Sequence, residues 1–264
     1  MGRLAFFSFV GLILGFVIAP LLIIIWASFF ENRVLNFPPS GYTFSWFLKA
    51  WEQQDFSNGF ITSIQLGLSA TCISLILGIP AALAIEREEF PFKETIRQIL
   101  LSPMYVPAIV AGAAVYVYFV QLEIFTNYQI AGTFKGLLIA HVLIAIPWSI
   151  RLICASLAMK SSYAEEAAAS LGANPFQIFY MVTLPSIRSG IIAAALFSFI
   201  ASFSDLEKSL FLVGPGKITL PISIINYLEW NLDPTIAAVA TVQILIIATA
   251  LLISDRFVNL GKAF

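Results

Sequence analysis

The chain has 264 residues, 59% hydrophobic and 11% charged, with a net charge of −1 and a mean hydropathy of +0.92. A soluble domain carries roughly 25% charged residues, so most of this surface is not built to face water, and the class is a polytopic membrane protein. No basic block of the kind that binds nucleic acid occurs, and Cys72 and Cys154 lie far apart inside apolar runs, without metal-ligand spacing.

A bilayer core needs about 20 apolar residues in a helix, because every backbone group must bond within its own segment. Six stretches qualify, at about 5–30, 59–85, 99–120, 136–158, 187–213 and 235–257. The first ends in bulky Trp26, Phe29 and Phe30 and is longer than the about 7–15 apolar residues of a cleaved signal, so a retained helix is predicted. The connection 31–58 carries Pro38-Pro39, Tyr42, Trp46, Phe47 and Trp51, aromatics expected to anchor at the headgroup level. A short link follows at 86–98. Pro103 and Pro107 in the third helix and Pro147 in the fourth are expected to kink them and free carbonyls toward a cavity. His141, also in the fourth, reads as a helix–helix hydrogen-bonding group, with a proton relay as the alternative. The last connection, 214–234, holds the turn Gly214-Pro215-Gly216 and the pair Asp233-Pro234, a cap and first residue for the sixth helix.

With the N-terminus inside, Arg3, Arg87, Lys93, Arg97, Arg151, Lys160, Arg188, Arg256 and Lys262 fall on or near the cytoplasmic side. Arg33, Lys49, Lys135, Lys208 and Lys217 fall outside or in the outer half. This bias predicts both termini in the cytoplasm. Residues 1–264 read as one membrane domain, with no soluble domain to host an active site.

The segment 159–186 is a polar, small-residue island between two apolar spans. Ser161 or Ser162 is suited to cap a helix through Glu165-Glu166-Ala167-Ala168, whose carboxylates meet the positive end of the helix dipole. Gly172 is expected to end that helix in a left-handed backbone. Asn174-Pro175 starts a second short helix, Phe176, Ile178, Phe179 and Val182 supply apolar knobs, and Leu184-Pro185 leads into the fifth span. Two short helices joined at a glycine suit docking in a groove of another protein; an ordinary helical loop is the alternative.

Ionisable groups in a bilayer default to functional candidates. Ser204, Asp205, Glu207 and Lys208 cluster in the fifth segment. Asp205 and Lys208 are spaced to pair on one face; alternatively Asp205, with Glu207, faces a pathway and attracts a cationic solute. Tyr105 and Trp148 are suited to cation–π contact with an ammonium, or to plain packing. No glycine-rich loop ending in Gly-Lys-Ser/Thr is present and no reactive cluster is visible, so an enzyme is not expected, and any ATP hydrolysis falls to a partner. A self-sufficient secondary transporter would need internal repeats, and none is evident between 1–130 and 131–264.

Glu166-Ala167-Ala168, then Gly172 and Leu184-Pro185 at fixed spacing, resemble the "EAA" loop of binding-protein-dependent ABC importer permeases, a family that usually carries Ile where this chain has Val182. Leu101-Ser102-Pro103, His141 with Pro147, Phe203-Ser204-Asp205 and the run Phe211-Leu212-Val213-Gly214-Pro215 with Leu220-Pro221 look most like the second permease subunit of polyamine importers, loosely over nearly the whole chain. The resemblance implies an all-α, six-helix type I importer permease fold in a bacterial inner membrane. The loop, with Glu165, Glu166, Ala167, Ala168, Gly172, Val182, Leu184 and Pro185, would seat on an ATPase subunit. It further implies a second permease of similar sequence, two ATPase subunits carrying the ATP and magnesium, and an external solute-binding protein; no cofactor is expected on this chain. Polyamine-like cations lead the solute classes, with opines, aminophosphonates, amino acids, thiamine or metals and anions as alternatives.

Overall fold

The computed structural model describes residues 2–34 and 36–258. The elements are helical: α1 (Gly2–Ala27), α2 (Ser45–Glu52), α3 (Gln54–Arg87), α4 (Lys93–Leu101), α5 (Ala108–Thr126), α6 (Phe134–Ala158), α7 (Tyr163–Ser170), α8 (Pro175–Ile178), α9 (Leu184–Ser186), α10 (Arg188–Phe203), α11 (Ser209–Leu212), α12 (Leu220–Leu228) and α13 (Thr235–Val258). Five of them, α1, α3, α5, α6 and α13, are long and apolar enough to cross a bilayer. Lys262, counted above among the inside charges, lies outside the described residues.

Two expected spans are interrupted. The third was expected over 99–120, but the chain forms α4, a 3₁₀ turn at Ser102–Met104, and only then α5 from Ala108. Pro103 and Pro107 supply no N–H, and the residue before a proline is pushed away from helical geometry. These prolines therefore end one helix and start another instead of kinking a single one. Pro147 does lie within a helix, buried in α6. The fifth span was expected over 187–213. Instead α10 stops at Phe203, and the sixteen residues of that helix reach only about 24 Å. The segment Pro175–Ser186 meets α10 at a bend of 70°.

The described chain forms two compact units. The larger comprises 58–222 with 250–258. Its core has two clusters: Leu66, Phe119, Leu137, Ala140 and Leu212, and then Ala82, Ile153, Leu157, Ile187 and Ala194. Contact between α6 and α10 rests on small residues, as expected where lipid removes most of the hydrophobic drive between helices. A Cβ added to Gly190 would stand 2.3 Å from the Ser156 Cβ, and one added to Gly78 of α3 would stand 2.8 Å from the Ser149 Cβ. A chain of fully buried hydroxyls ties the three helices together: Ser74 Oγ lies 2.9 Å from Ser149 Oγ, which lies 3.0 Å from Ser198 Oγ. The chain ends on backbone oxygens, Thr71 O at 2.9 Å from Ser74 and Ala145 O at 3.1 Å from Ser198.

The smaller unit comprises 2–57 with 223–249. Of its aromatics Trp46 is buried and its indole N–H donates to Phe30 O at 2.6 Å, whereas Tyr42 and Trp51 are exposed. Satisfying the indole donor on a backbone carbonyl makes that burial favourable. Asp233 starts α13 by accepting from Thr235 N at 3.0 Å, and its carboxylate pairs with Lys49 and accepts from the Tyr227 hydroxyl. Burial alone would raise the Asp233 carboxyl, but the hydrogen bonds from Lys49, Thr235 and Tyr227 outweigh it and hold it below the ordinary carboxylate range. Lys49 is raised, chiefly by its bond to Asp233. The carboxylate's share of stability is therefore present above its ordinary value of 3.8 and is lost as pH falls through the lower folded value. The ammonium's share is present below 10.5 and is lost as pH rises through the higher folded value. Asp233→Asn is expected to lower thermal stability at pH 7 by on the order of 1 kcal/mol, since the Lys49 side chain is 42% exposed and water screens the pair. The difference from the unsubstituted chain should shrink below about pH 4. Melting curves at the two pH values check this, and an unchanged gap in acid would remove the ion pair as its cause.

Candidate functional site

Local chemistry shapes the loop between α6 and α10. Ser161 Oγ accepts from Tyr163 N at 3.1 Å at the start of α7, while Ser162 turns to donate to Glu166 Oε1 at 2.6 Å. At the other end Gly172 takes φ +89°, its N–H donates to Ala169 O at 2.9 Å, and Ala173 N donates to Ala168 O at 3.1 Å. This pair of bonds is the Schellman closure of a helix, which needs a left-handed residue between them. Asn174 and Gln177 then bond each other's backbone N–H at 2.9 Å, a capping box with Pro175 in the first turn of α8.

Residues Phe179–Thr183 widen into a π-helical turn before α9. Pro185 has no N–H to close the regular ladder on Met181, and the N–H of Leu184 reaches back to Phe179 O. Ile178, Phe179, Val182 and Leu184 are half-buried, and Pro185 is exposed. Leu171, Phe176 and Met181 are 89%, 71% and 74% exposed, an apolar rim on an otherwise self-satisfied loop. Glu166 and Ala167 also face out, whereas Ala168 and Glu165 are half-buried.

Glu165 behaves differently from its neighbour. Thr183 Oγ1 donates to its Oε1 at 2.9 Å, and Arg87 Nε, at the end of α3, lies 3.1 Å from its Oε2. Arg87 Nη2 also donates to Lys160 O at 3.4 Å, just beyond the end of α6. Neither Arg87 nor Thr183 stands out in the sequence as a functional residue; both are far from Glu165 along the chain, and nothing local marks them.

A second polar feature lies at the break after α10. Asp205 pairs with Lys208 at 3.7 Å and accepts from Ser209 N at 3.0 Å, so its carboxylate caps α11. Ser209 Oγ also reaches Asp205 Oδ2 at 3.2 Å and the Nε2 of His141 at 3.1 Å; Nδ1 of His141 lies 2.8 Å from Ser202 Oγ. With the Ser209 hydroxyl donating to Asp205, His141 donates through Nε2 and accepts from Ser202 through Nδ1. His141 is thus a buried link from α6 to α10 and α11. Asp205 is only 7% exposed and committed to these partners, whereas Ser204 and Glu207 are exposed. Tyr105 stands apart after the 3₁₀ turn, 74% exposed, and Trp148 stacks on Phe197 at 5.4 Å. No cluster of three metal-binding side chains occurs among the described residues.

The described chain is thus a set of apolar helices carrying one capped loop with exposed apolar side chains. Residues 74–260 match the model of the family described as binding-protein-dependent transport system inner membrane component, and the chain belongs to that family, the permease components of ABC importers. It is 27% identical over 233 residues to the putrescine transport system permease protein PotI of Escherichia coli (strain K12), covering 87% of this chain and 83% of that one. It is 26% identical over 253 residues to the putative 2-aminoethylphosphonate transport system permease protein PhnV of Salmonella typhimurium, covering 95% and 91%. A crystal structure of a bacterial ABC transporter involved in import of the acidic polysaccharide alginate superposes with a TM-score of 0.72 over 97% of this chain and 96% of that chain. At 18% identity this shares the fold.

Proposed function

We propose that the chain supplies half of the membrane pathway of an ATP-driven importer for a small amine-bearing solute, and that the loop from Tyr163 to Ser186 seats on a separate ATPase subunit. The assembly would hold a second permease, two ATPase subunits that bind the ATP and magnesium, and an external solute-binding protein. Both termini and the loop would face the cytoplasm of a bacterial cell, as the Lys and Arg bias suggests. ATP binding and hydrolysis would shift the bundle between inward- and outward-open states.

The observation that carries this reading is the loop itself: both of its helices close on their own backbone while Leu171, Phe176 and Met181 point outward. Such side chains cost least when a partner covers them. The amine preference is supported by the two relatives above, named for putrescine and 2-aminoethylphosphonate, which share a protonated amine. Glu207, exposed at the break, is the carboxylate best free to attract that charge. Asp205 shapes the break that presents it.

The test is reconstitution of the full complex in vesicles. A cysteine at Leu171 is expected to crosslink to the ATPase subunit, and labelled putrescine to accumulate only with ATP inside and the binding protein outside. Absence of the crosslink, or flux through this chain without the ATPase, would sink the reading.

A further inference from the structure

We propose that Arg87 is a positioning residue of the transport cycle, the fixed end of a strut through Glu165 and Thr183 that passes movement of the loop into α3. The proposal rests on the docking reading above and divides the two loop glutamates between tasks: Glu166 faces outward, and Glu165 faces the bundle.

The geometry supports that division. Glu165 is held on both oxygens: the Thr183 hydroxyl donates to Oε1 at 2.9 Å, and the Arg87 guanidinium pairs with Oε2, its Nε 3.1 Å away. The Arg87 and Glu165 side chains are 22% and 19% exposed, so water screens the pair less than it would a surface pair. The guanidinium is forked, and its other arm donates to Lys160 O at 3.4 Å. Arg87 and Glu165 together join the end of α3, the end of α6, α7 and the π-helical turn. Close packing meets α3 just beyond the loop, where Ile187 shares a buried cluster with Ala82. A cleft of about 400 Å³, lined by Leu83, Ala84, Pro175, Ile178 and Phe179 among others, separates the loop from α3 beside the strut. A force on the loop therefore has a route to α3 through the Arg87–Glu165 ion pair, beside the packing of Ile187 on Ala82. The receiving end is itself braced, since Arg97 of α4 holds Glu86 of α3 at 2.7 Å.

The complete importer in vesicles tests this, with labelled putrescine as the probe. Arg87→Gln and Glu165→Gln are each expected to keep the ATPase subunits bound and the Leu171 crosslink intact, while uptake falls at least tenfold and ATP consumed per putrescine imported rises. Arg87→Lys, which keeps the charge but not the fork, should fall in between. Exchanging the pair, Arg87→Glu with Glu165→Arg, should recover part of the uptake, since it restores the ion pair but not the bond to Lys160 O. Wild-type uptake in Arg87→Gln, or an exchange no better than the single variants, overturns the strut. Loss of the ATPase subunits from Glu165→Gln would make Glu165 a docking residue and overturns it too. Failure of the docking reading shows separately, as a missing crosslink in the unsubstituted complex.

Discussion

Gly172→Val is expected to cut ATP-driven uptake by more than tenfold while leaving membrane insertion and yield unchanged. The residue sits at φ +89°, and a Cβ added there would meet nothing within 4 Å. Crowding is therefore not the issue. The cost lies in the backbone: a left-handed conformation disfavours an ordinary residue by about 1–2 kcal/mol, and a β-branched one more. The loop escapes that strain by turning Gly172 out of the left-handed region, which breaks the bonds from Gly172 N to Ala169 O and from Ala173 N to Ala168 O. α8 would then point elsewhere, and Leu171 and Phe176 would no longer share one rim. The graded comparison is decisive, because Asn tolerates this region and finds open space. Gly172→Asn should keep most of the uptake. Equal uptake in the Val and Asn variants would show that the turn geometry does not matter to transport.

Gly190→Val is expected to remove most of the folded protein. Even the first added carbon would lie 2.3 Å from Ser156 Cβ, 2.7 Å from its hydroxyl and 3.3 Å from Leu152 O. Ser156 cannot swing away at its Cβ, so α6 and α10 must part. Overpacking of this kind costs typically about 1–3 kcal/mol, and separating these helices also loosens the hydroxyl chain through Ser149 and Ser198. Monodisperse yield in detergent and the melting midpoint measure the loss. Gly190→Ala combined with Ser156→Gly should recover much of what Gly190→Ala alone loses, because the paired change removes the clashing atoms. No recovery would point to Leu152 O, and so to the backbone, as the obstacle.

What was legible in the sequence was local. Gly172 and Asn174-Pro175 announce a helix stop and restart within a few residues, and the structure has both. Asp233 before α13 is legible for the same reason. The break after Phe203 was hidden because Leu210, Phe211 and Leu212 restore the hydropathy just beyond the charged residues, so the run scans as one span. Only the fold shows Asp205 capping α11 and His141 tying that turn down. The burial of Trp46 was not legible, because aromatics near a membrane surface share one composition signal whether they face lipid or Phe30 O. Arg87 passed as a topology charge because its partner comes from a loop that the chain reaches only after two further long helices.

The serine relay among α3, α6 and α10 limits how this membrane protein can deform. Ser74 has an acceptor on its own helix in Thr71 O, whereas the contacts from Ser149 to Ser74 and Ser198, and from Ser198 to Ala145 O, cross between helices and hold only at their present axial offset. Sliding α6 by a turn would take the buried Ser149 hydroxyl away from both of its partners, an unfavourable change in the interior. The trio is therefore expected to move as one stiff piece, with the helix interruptions at Pro107, at the π-helical turn and after Phe203 lying outside the serine contacts.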